Sequence, residues 1–159
     1  MKSKKFALSL FLATVITLAL TAVSLAGSRS TVWTAKLTVA QEVPKQVVKN
    51  TAASGTFTGT LTGNALRYTL TFSKLTGAGM YAHIHLGAKG VSGPVLVPLC
   101  SAATGSATST AAAHPCKSPV TGTVNVTGAM LKDFTKHLLY VNVHTAKNPN
   151  GEIRGQLAG

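Results

Sequence analysis

The chain has 159 residues, with 15 Lys and Arg against three Asp and Glu, so its formal net charge is +12 at pH 7. The three acids, Glu42, Asp133 and Glu152, fall in different predicted elements, which excludes catalysis by a pair of carboxylates. The sequence also has no Gly-x-Ser-x-Gly motif of the kind that exposes a nucleophilic serine. Composition therefore favours a protein that binds over one that catalyses.

Residues 1–26 have the pattern of a secretory signal peptide. Three lysines within residues 2–5 precede an uncharged apolar run over residues 6–22, and the Ser-Leu-Ala sequence at residues 24–26 is a small-x-small cleavage pattern. We expect a secreted mature chain, residues 27–159, that forms a single domain. The alternative is an uncleaved apolar run that anchors the chain, and this is the only membrane contact that we expect.

The predicted mature chain keeps twelve basic residues, which are scattered and form no run. The sequence has no basic helix and no basic segment interleaved with aromatic residues, so we expect no nucleic-acid partner. A basic surface favours contact with anionic cell-wall or matrix polymers, or with an extracellular protein. The alternative is that the charge serves only solubility outside the cell.

Alternation of apolar and polar residues dominates the rest of the chain. A tight turn is predicted at Gly63-Asn64, and the segment 129–137 is predicted to form one short helix. Seven or eight short strands with glycine-rich turns indicate an all-β fold, an antiparallel Greek-key β-sandwich or barrel. The predicted strands lie near residues 33–39, 56–61, 66–72, 80–86, 94–98, 120–126, 138–145 and 152–157.

Two cysteines, Cys100 and Cys116, flank a segment composed mostly of Ala, Ser, Thr and Gly. In an exported protein, such a pair most simply forms a disulfide, and closing a loop of this length stabilises the fold by roughly 3 kcal/mol. The alternative is a pair of thiol ligands for a metal.

Three histidines on two predicted strands are candidate metal ligands. Because side chains alternate along a strand, His83 and His85 point to one face of the first strand, and His144 lies on the polar face of the second. If these outer faces adjoin, three neutral nitrogen ligands converge, which suits copper or zinc. The alternative is three imidazoles that are exposed to solvent or hydrogen-bonded on the surface of the sandwich.

The last two predicted strands are expected to form a β-hairpin, and its strand register predicts which residues lie beside these histidines. A five-residue loop over Lys147–Gly151 keeps the apolar residues of both strands on one face and pairs His144 with Arg154. Glu152 is then expected to pair with Arg154 or with a lysine across the sheet. Three further residues share the polar faces and are expected near the site: Tyr81, Tyr140 and Asn142. The alternative for the two tyrosines, and the one favoured here, is cross-strand packing on an exposed sheet.

Four motifs occur in an order that resembles the CHRD domain, the module repeated in chordin and found alone in secreted bacterial proteins. They are Glu42-Val-Pro44; Ala82-His-Ile-His85 with Gly87, Gly90 and Gly93-Pro-Val95; Tyr140-Val-Asn-Val-His-Thr145; and Asn148-Pro-Asn-Gly-Glu-Ile-Arg-Gly155. The resemblance covers roughly residues 31–157. It implies an extracellular all-β module, for which we expect a non-catalytic binding or structural role.

A second likeness concerns the histidines alone. A His-x-His strand followed by a distant strand that ends in histidine is similar to the copper ligands of the Cu/Zn superoxide dismutases. By this likeness His83, His85 and His144 would bind copper, and Arg154 would attract an anionic substrate. The sequence has no candidate for the bridging histidine or the zinc ligands of those enzymes, so the alternative function is a copper-binding or copper-only dismutase-like protein. His114 is a candidate fourth ligand, whereas His137 is expected to be solvated.

Overall fold

A computed structural model describes residues 29–102 and 115–159, and it is an all-antiparallel β-structure with one short helix. The predicted signal segment and His114 lie outside these residues. None of the helices within the described ranges is both long and apolar enough to cross a membrane. The strands are β1 (Ser30–Thr38), β2 (Ser54–Thr62), β3 (Ala65–Ser73), β4 (Gly79–Leu86), β5 (Val95–Ser101), β6 (Val120–Asn125), β7 (Leu139–Thr145) and β8 (Asn148–Gln156).

The predicted fold class is confirmed. The eight strands form one sheet in the order β5-β4-β7-β8-β1-β2-β3-β6, which curls until its two edge strands approach each other. The disulfide between Cys100 of β5 and Cys116, just before β6, joins these edges and confirms the predicted pairing. The Tyr68 hydroxyl of β3 also donates to the carbonyl of Leu99 in β5 at 2.7 Å. Strands β4, β5 and β6 are then successive neighbours and β7 returns beside β4, which is a Greek-key arrangement.

The predicted turn at Gly63-Asn64 is also confirmed. Thr62 pairs with Ala65, so the hairpin between β2 and β3 has a two-residue loop. Gly63 has a φ of +60°, a backbone conformation that glycine adopts without the clash that a Cβ introduces. From this turn the strands run in register for their whole length, with apolar side chains turned inward, as at Phe57 and Leu70.

The predicted short helix is α1 (Gly128–Thr135), which closes one end of the curled sheet. The Thr127 side chain accepts a hydrogen bond from the amide of Met130, which satisfies one of the free N–H groups at the start of the helix. Met130 and Phe134 face the core, and the Phe134 ring lies 5.0 Å from the Trp33 ring between centroids. Apolar burial therefore holds this helix in place.

The predicted register of the last hairpin is wrong. Thr145 pairs with Asn148 across a two-residue turn, and Arg154 pairs with Asn142 instead of His144. A loop with an even number of residues would by itself turn the apolar residues of β8 to the histidine face. The register shift beyond Val143 corrects this, because the segment 149–152 of β8 bulges opposite His144 and brings Ile153 back beside Val143.

The prediction that Glu152 pairs with Arg154 or with a lysine is also wrong. Its buried carboxylate accepts hydrogen bonds from the amide and hydroxyl of Thr76, from the Thr145 hydroxyl and from the Asn148 side chain. Burial opposes the charged form of Glu152, but these hydrogen bonds outweigh it and lower its pKa. Glu152 thus stabilises the bulged start of β8 through hydrogen bonds instead of pairing with a cation.

Candidate metal centre

The structure brings the three candidate histidines together. Strand β4 pairs with β7 so that Tyr81 lies opposite His144 and His83 opposite Asn142. One ring nitrogen from each of His83, His85 and His144 lies within 4.8 Å of the other two. Nδ1 of His83 and Nε2 of His144 lie 3.2 Å apart and share a hydrogen bond.

Backbone carbonyls orient two of the rings. Nδ1 of His85 lies 2.9 Å from the carbonyl oxygen of Gly93, and Nδ1 of His144 lies 2.9 Å from that of Pro149. Because a carbonyl oxygen only accepts, each Nδ1 carries the hydrogen and each Nε2 keeps a lone pair. These lone pairs belong to the convergent nitrogens. A hydrogen bond on the far side of a histidine ring commonly orients metal-binding histidines in this way.

The environment keeps the imidazoles neutral. Burial, together with the nearby His144 and His85, lowers the pKa of His83 to about 4. Burial also lowers the pKa of His85 and His144, although the Gly93 and Pro149 carbonyls act in the opposite direction. A neutral ring is the form that binds a metal ion.

The histidine face is not the exposed outer face that alternation predicted. Every residue of β7 is buried, and His85 and His144 are each 8% exposed. The loop over residues 87–94, between β4 and β5, covers this face of the sheet. The loop stays over the histidine face because polar side chains of the sheet form hydrogen bonds with the loop backbone. The periodicity of the strands does not reveal these hydrogen bonds.

Three side chains besides His85 hold this loop. Nη2 of Arg154 donates to the carbonyls of Ala88 and Val91 at 3.0 and 2.9 Å. The Tyr140 hydroxyl accepts from the amide of Gly93 at 3.2 Å, and the Gln156 side chain donates to the carbonyl of Gly87 at 2.9 Å. The loop that orients His85 through Gly93 is therefore fixed by residues of β7 and β8.

Tyr140 lies between His85 and Arg154. Its ring is stacked on His85 with 4.8 Å between centroids, and the Arg154 guanidinium carbon lies 3.5 Å from the centre of the same ring. His85 belongs to β4 and Arg154 to β8, on either side of β7, so the phenol ring separates the cation from the imidazole. Tyr81 is stacked on His83 at 6.0 Å and is 39% exposed, at the rim of the site.

The sequence interpretation did not include Glu42 in the site, although it noted the Glu-Val-Pro motif. Oε1 of Glu42 accepts from Nδ2 of Asn142 at 2.7 Å, which places this carboxyl group on the covered face. Burial raises the pKa of Glu42 to about 7, while Arg154 and the Asn142 hydrogen bond partly oppose the rise. The sequence did contain a signal for Glu42, because it is one of only three acids in the chain and begins the Glu-Val-Pro motif. The Gly93 and Pro149 carbonyls offered none, because they are backbone groups.

Several buried polar atoms around the trio lack a hydrogen-bond partner. Among them are Nε2 of His85, Nη1 of Arg154, Oε2 of Glu42 and Oδ1 of Asn142. Unsatisfied buried polar atoms are uncommon, and a bound ion or water accounts for them in many proteins. A buried, unpartnered Nε2 on a ring beside two other imidazoles has the chemistry of a metal ligand.

His137 is exposed at the end of α1, and its ring lies 5.9 Å from that of Trp33. Among the described residues, the trio is the only group of three or more His, Cys, Asp or Glu side chains placed to hold one ion. It offers three neutral nitrogens and no carboxylate.

Fold and site together define a small, disulfide-linked antiparallel β-sandwich that carries three neutral imidazoles on one covered face. The sequence matches the CHRD domain over residues 33–157, so this chain belongs to the CHRD domain family. CHRD domains are extracellular modules, and the disulfide fits an oxidising compartment. The comparisons with curated proteins and with solved structures find no match. The likeness to Cu/Zn superoxide dismutase therefore rests on the pattern of histidines alone.

Proposed function

We propose that this protein is a secreted, non-catalytic CHRD module that binds one copper ion through His83, His85 and His144. The observation that supports this most is the convergence of three imidazoles, two of which have Nδ1 hydrogen-bonded to a carbonyl, so that Nε2 keeps its lone pair.

The distances support a metal site. Nitrogens that each lie about 2.0 to 2.1 Å from one ion are roughly 3 to 4 Å apart. The pair at 3.2 Å already meets this, and the other separations, which do not exceed 4.8 Å, require the rings to move inward by at most about 1 Å. Rotation of His83, the least buried of the three, supplies such a movement without disturbing the loop.

Copper is favoured over zinc by the order of affinities. For one set of nitrogen ligands, Cu²⁺ binds more tightly than the other divalent ions of the first transition row, including Zn²⁺. Because all three ligands are neutral, the site also keeps the full positive charge of the ion, which suits an anion as an additional ligand.

The test is to load the mature protein with Cu²⁺, remove unbound metal over a chelating column, and measure retained copper and its electron paramagnetic spectrum. We expect one copper per chain with nitrogen hyperfine structure, lost in His83→Ala. His137→Ala is the matched control, since it removes an exposed imidazole outside the trio and should retain the copper. Loss of copper by the wild type, or equal retention by His83→Ala, would refute the proposal.

Two further measurements separate the alternatives. Competition by equimolar Zn²⁺ that displaces the copper would identify a zinc site instead. Dismutation of superoxide by the copper-loaded protein, abolished by His83→Ala, would show the dismutase-like enzyme and overturn the non-catalytic role, since binding a metal does not itself make an enzyme.

The basic surface supports a second role, contact with anionic extracellular polymers. Glu42 and Glu152 are buried, and Asp133 is half-buried, so the described surface presents little negative charge. Eleven of the twelve described basic residues are exposed, the exception being Arg154. Such a surface attracts polyanions over distances of about 10 Å at ordinary ionic strength.

A further inference from the structure

We infer that a depression at one end of β1, β2 and β3 binds the phosphate groups of a linear polyanion. This inference locates the second proposed role at one site and is independent of the copper site. The depression has a volume of about 370 Å³. The residues that line it are Lys36, Ser54, Gly55, Thr56, Thr71, Phe72 and Ser73.

The strand register explains why hydroxyl groups collect there. Lys36 pairs with Thr56, and Thr56 pairs with Thr71, so the three side chains form one row across the exposed face of the sheet. The hydroxyls of Thr56 and Thr71 lie 2.7 Å apart and share one hydrogen bond. One hydroxyl donates to the other, which leaves the second hydroxyl hydrogen available to a ligand oxygen.

One exposed lysine lines the depression, and three others belong to segments next to it in the chain or hydrogen-bonded to it. Lys36 lies within it, and Lys74 directly follows Ser73. The Lys45 ammonium donates to the carbonyl of Ala40, beside β1, at 3.2 Å. The loop that carries Lys49 is tied to the same end, because the side chain of Asn50 donates to the carbonyl of Lys74 at 2.7 Å.

Among the described residues, no exposed acid lies beside the depression. Glu42 and Glu152 are buried, and their carboxyl groups are hydrogen-bonded to Asn142 and to Thr76, Thr145 and Asn148, respectively. Asp133 belongs to α1, which packs on Trp33 toward the other end of β1. Lysine ammonium groups bind phosphate as point charges, and hydroxyls donate to the remaining oxygens. A linear phosphate polymer fits because four separate lysines can each meet a different phosphate.

The test uses long-chain inorganic polyphosphate as the probe and compares two variants of equal charge. Lys36→Ser with Lys74→Ser removes the lysine that lines the depression and the lysine that directly follows its last lining residue, Ser73. Lys132→Ser with Lys136→Ser removes two exposed cations from the region of α1. We expect the first variant to bind at least tenfold more weakly, with a smaller salt dependence because fewer counterions are released, and the second to stay within about twofold of the wild type.

A third variant tests the hydroxyl row without changing the charge. Thr71→Val keeps the shape of the side chain and removes its hydroxyl, so we expect weaker binding of polyphosphate by about threefold to tenfold. The control is the midpoint of thermal unfolding. A variant whose midpoint equals that of the wild type has kept the fold, so its weaker binding comes from the lost side chain.

The outcomes distinguish this site from the broader role. Equal weakening by both lysine pairs would overturn the site and leave a general basic surface. No binding of polyphosphate by the wild type would overturn the site and the polyanion role together, while leaving the copper proposal untouched. Equally tight binding of a sulfated glycan or of a carboxylate polymer would overturn the assignment to phosphate.

Discussion

Glu42 provides the sharpest test of how the covered face is built. Its carboxyl group is 1% exposed, and burial raises its pKa from the ordinary value of 4.5 to about 7. A rise of this size corresponds to about 3 kcal/mol in favour of the neutral form in the folded protein. We therefore expect the Glu42→Gln variant, which stays neutral at every pH, to be more stable than the wild type at pH 8.

The sign of the pH dependence follows from the same pKa. A folded-state pKa above the unfolded value means that the favourable contribution of neutral Glu42 is complete below about pH 4.5 and is lost as the pH rises through about 7. The difference in free energy of unfolding between Glu42→Gln and the wild type should thus be small at pH 4.5. It should grow to about 3 kcal/mol at pH 8.

The assay is urea-induced unfolding of both proteins between pH 4.5 and pH 8, with a chelator present so that no metal bound to the histidines contributes. The histidines titrate in both proteins, so their contribution cancels in the difference. Glu42→Leu is a second variant that also removes the acceptor for Asn142, and it should lose about 1 to 3 kcal/mol at pH 4.5 relative to Glu42→Gln. A difference between Glu42→Gln and wild type that does not change with pH would refute the reasoning.

Three other predictions concern the frame of the fold. Replacing Cys100 and Cys116 by alanine should lower the free energy of unfolding by roughly 3 kcal/mol, given their separation of 16 residues, and an unchanged urea midpoint would contradict this. Phe134→Ala should cost about 3 to 5 kcal/mol because the ring is 1% exposed, and a cost below 1 kcal/mol would show that α1 does not depend on this contact. Gly151→Ala should cost about 1 to 3 kcal/mol at a φ of +124°, and more through crowding of the covered face, whereas Gly63→Ala has open space around it and should cost less.

Much of the fold follows from local patterns in the sequence. The alternation around Trp33 and Leu70 predicts β1 and β3, because one face of each strand contacts the core and the other contacts water. The Gly63-Asn64 turn is equally local, since two residues decide the conformation of a tight hairpin. The cysteine pair was predictable because the spacing and the predicted export together favour a short disulfide loop.

The last hairpin shows where this reasoning stops. The requirement that apolar residues of both strands share one face correctly predicts that Val143 lies beside Ile153. It does not distinguish a five-residue loop from a two-residue turn followed by a bulge. The difference depends on Glu152, whose hydrogen bonds to Thr76 and Thr145 hold the bulge. Thr76 is distant in sequence, so a reading of the hairpin alone does not include it.

The candidate site divides in the same way. Alternation places His83 and His85 on one face of a strand, and this needs no tertiary information. That His144 lies beside them depends on the pairing of β4 with β7, two strands that are separated by more than fifty residues of sequence. The protonated nitrogens of His85 and His144 depend on backbone carbonyls, which have no signature in the side chains.

The sequence by itself determined an antiparallel β-domain with a disulfide, a basic surface and histidines arranged on strand faces, because these properties depend on composition and on neighbours along the chain. Only the tertiary structure decided that the histidine face is covered, that the Glu42 carboxyl group lies on it, and that the nitrogens of His83, His85 and His144 converge. The physical reason is that burial, register and hydrogen bonds to distant carbonyls arise when separate segments pack together.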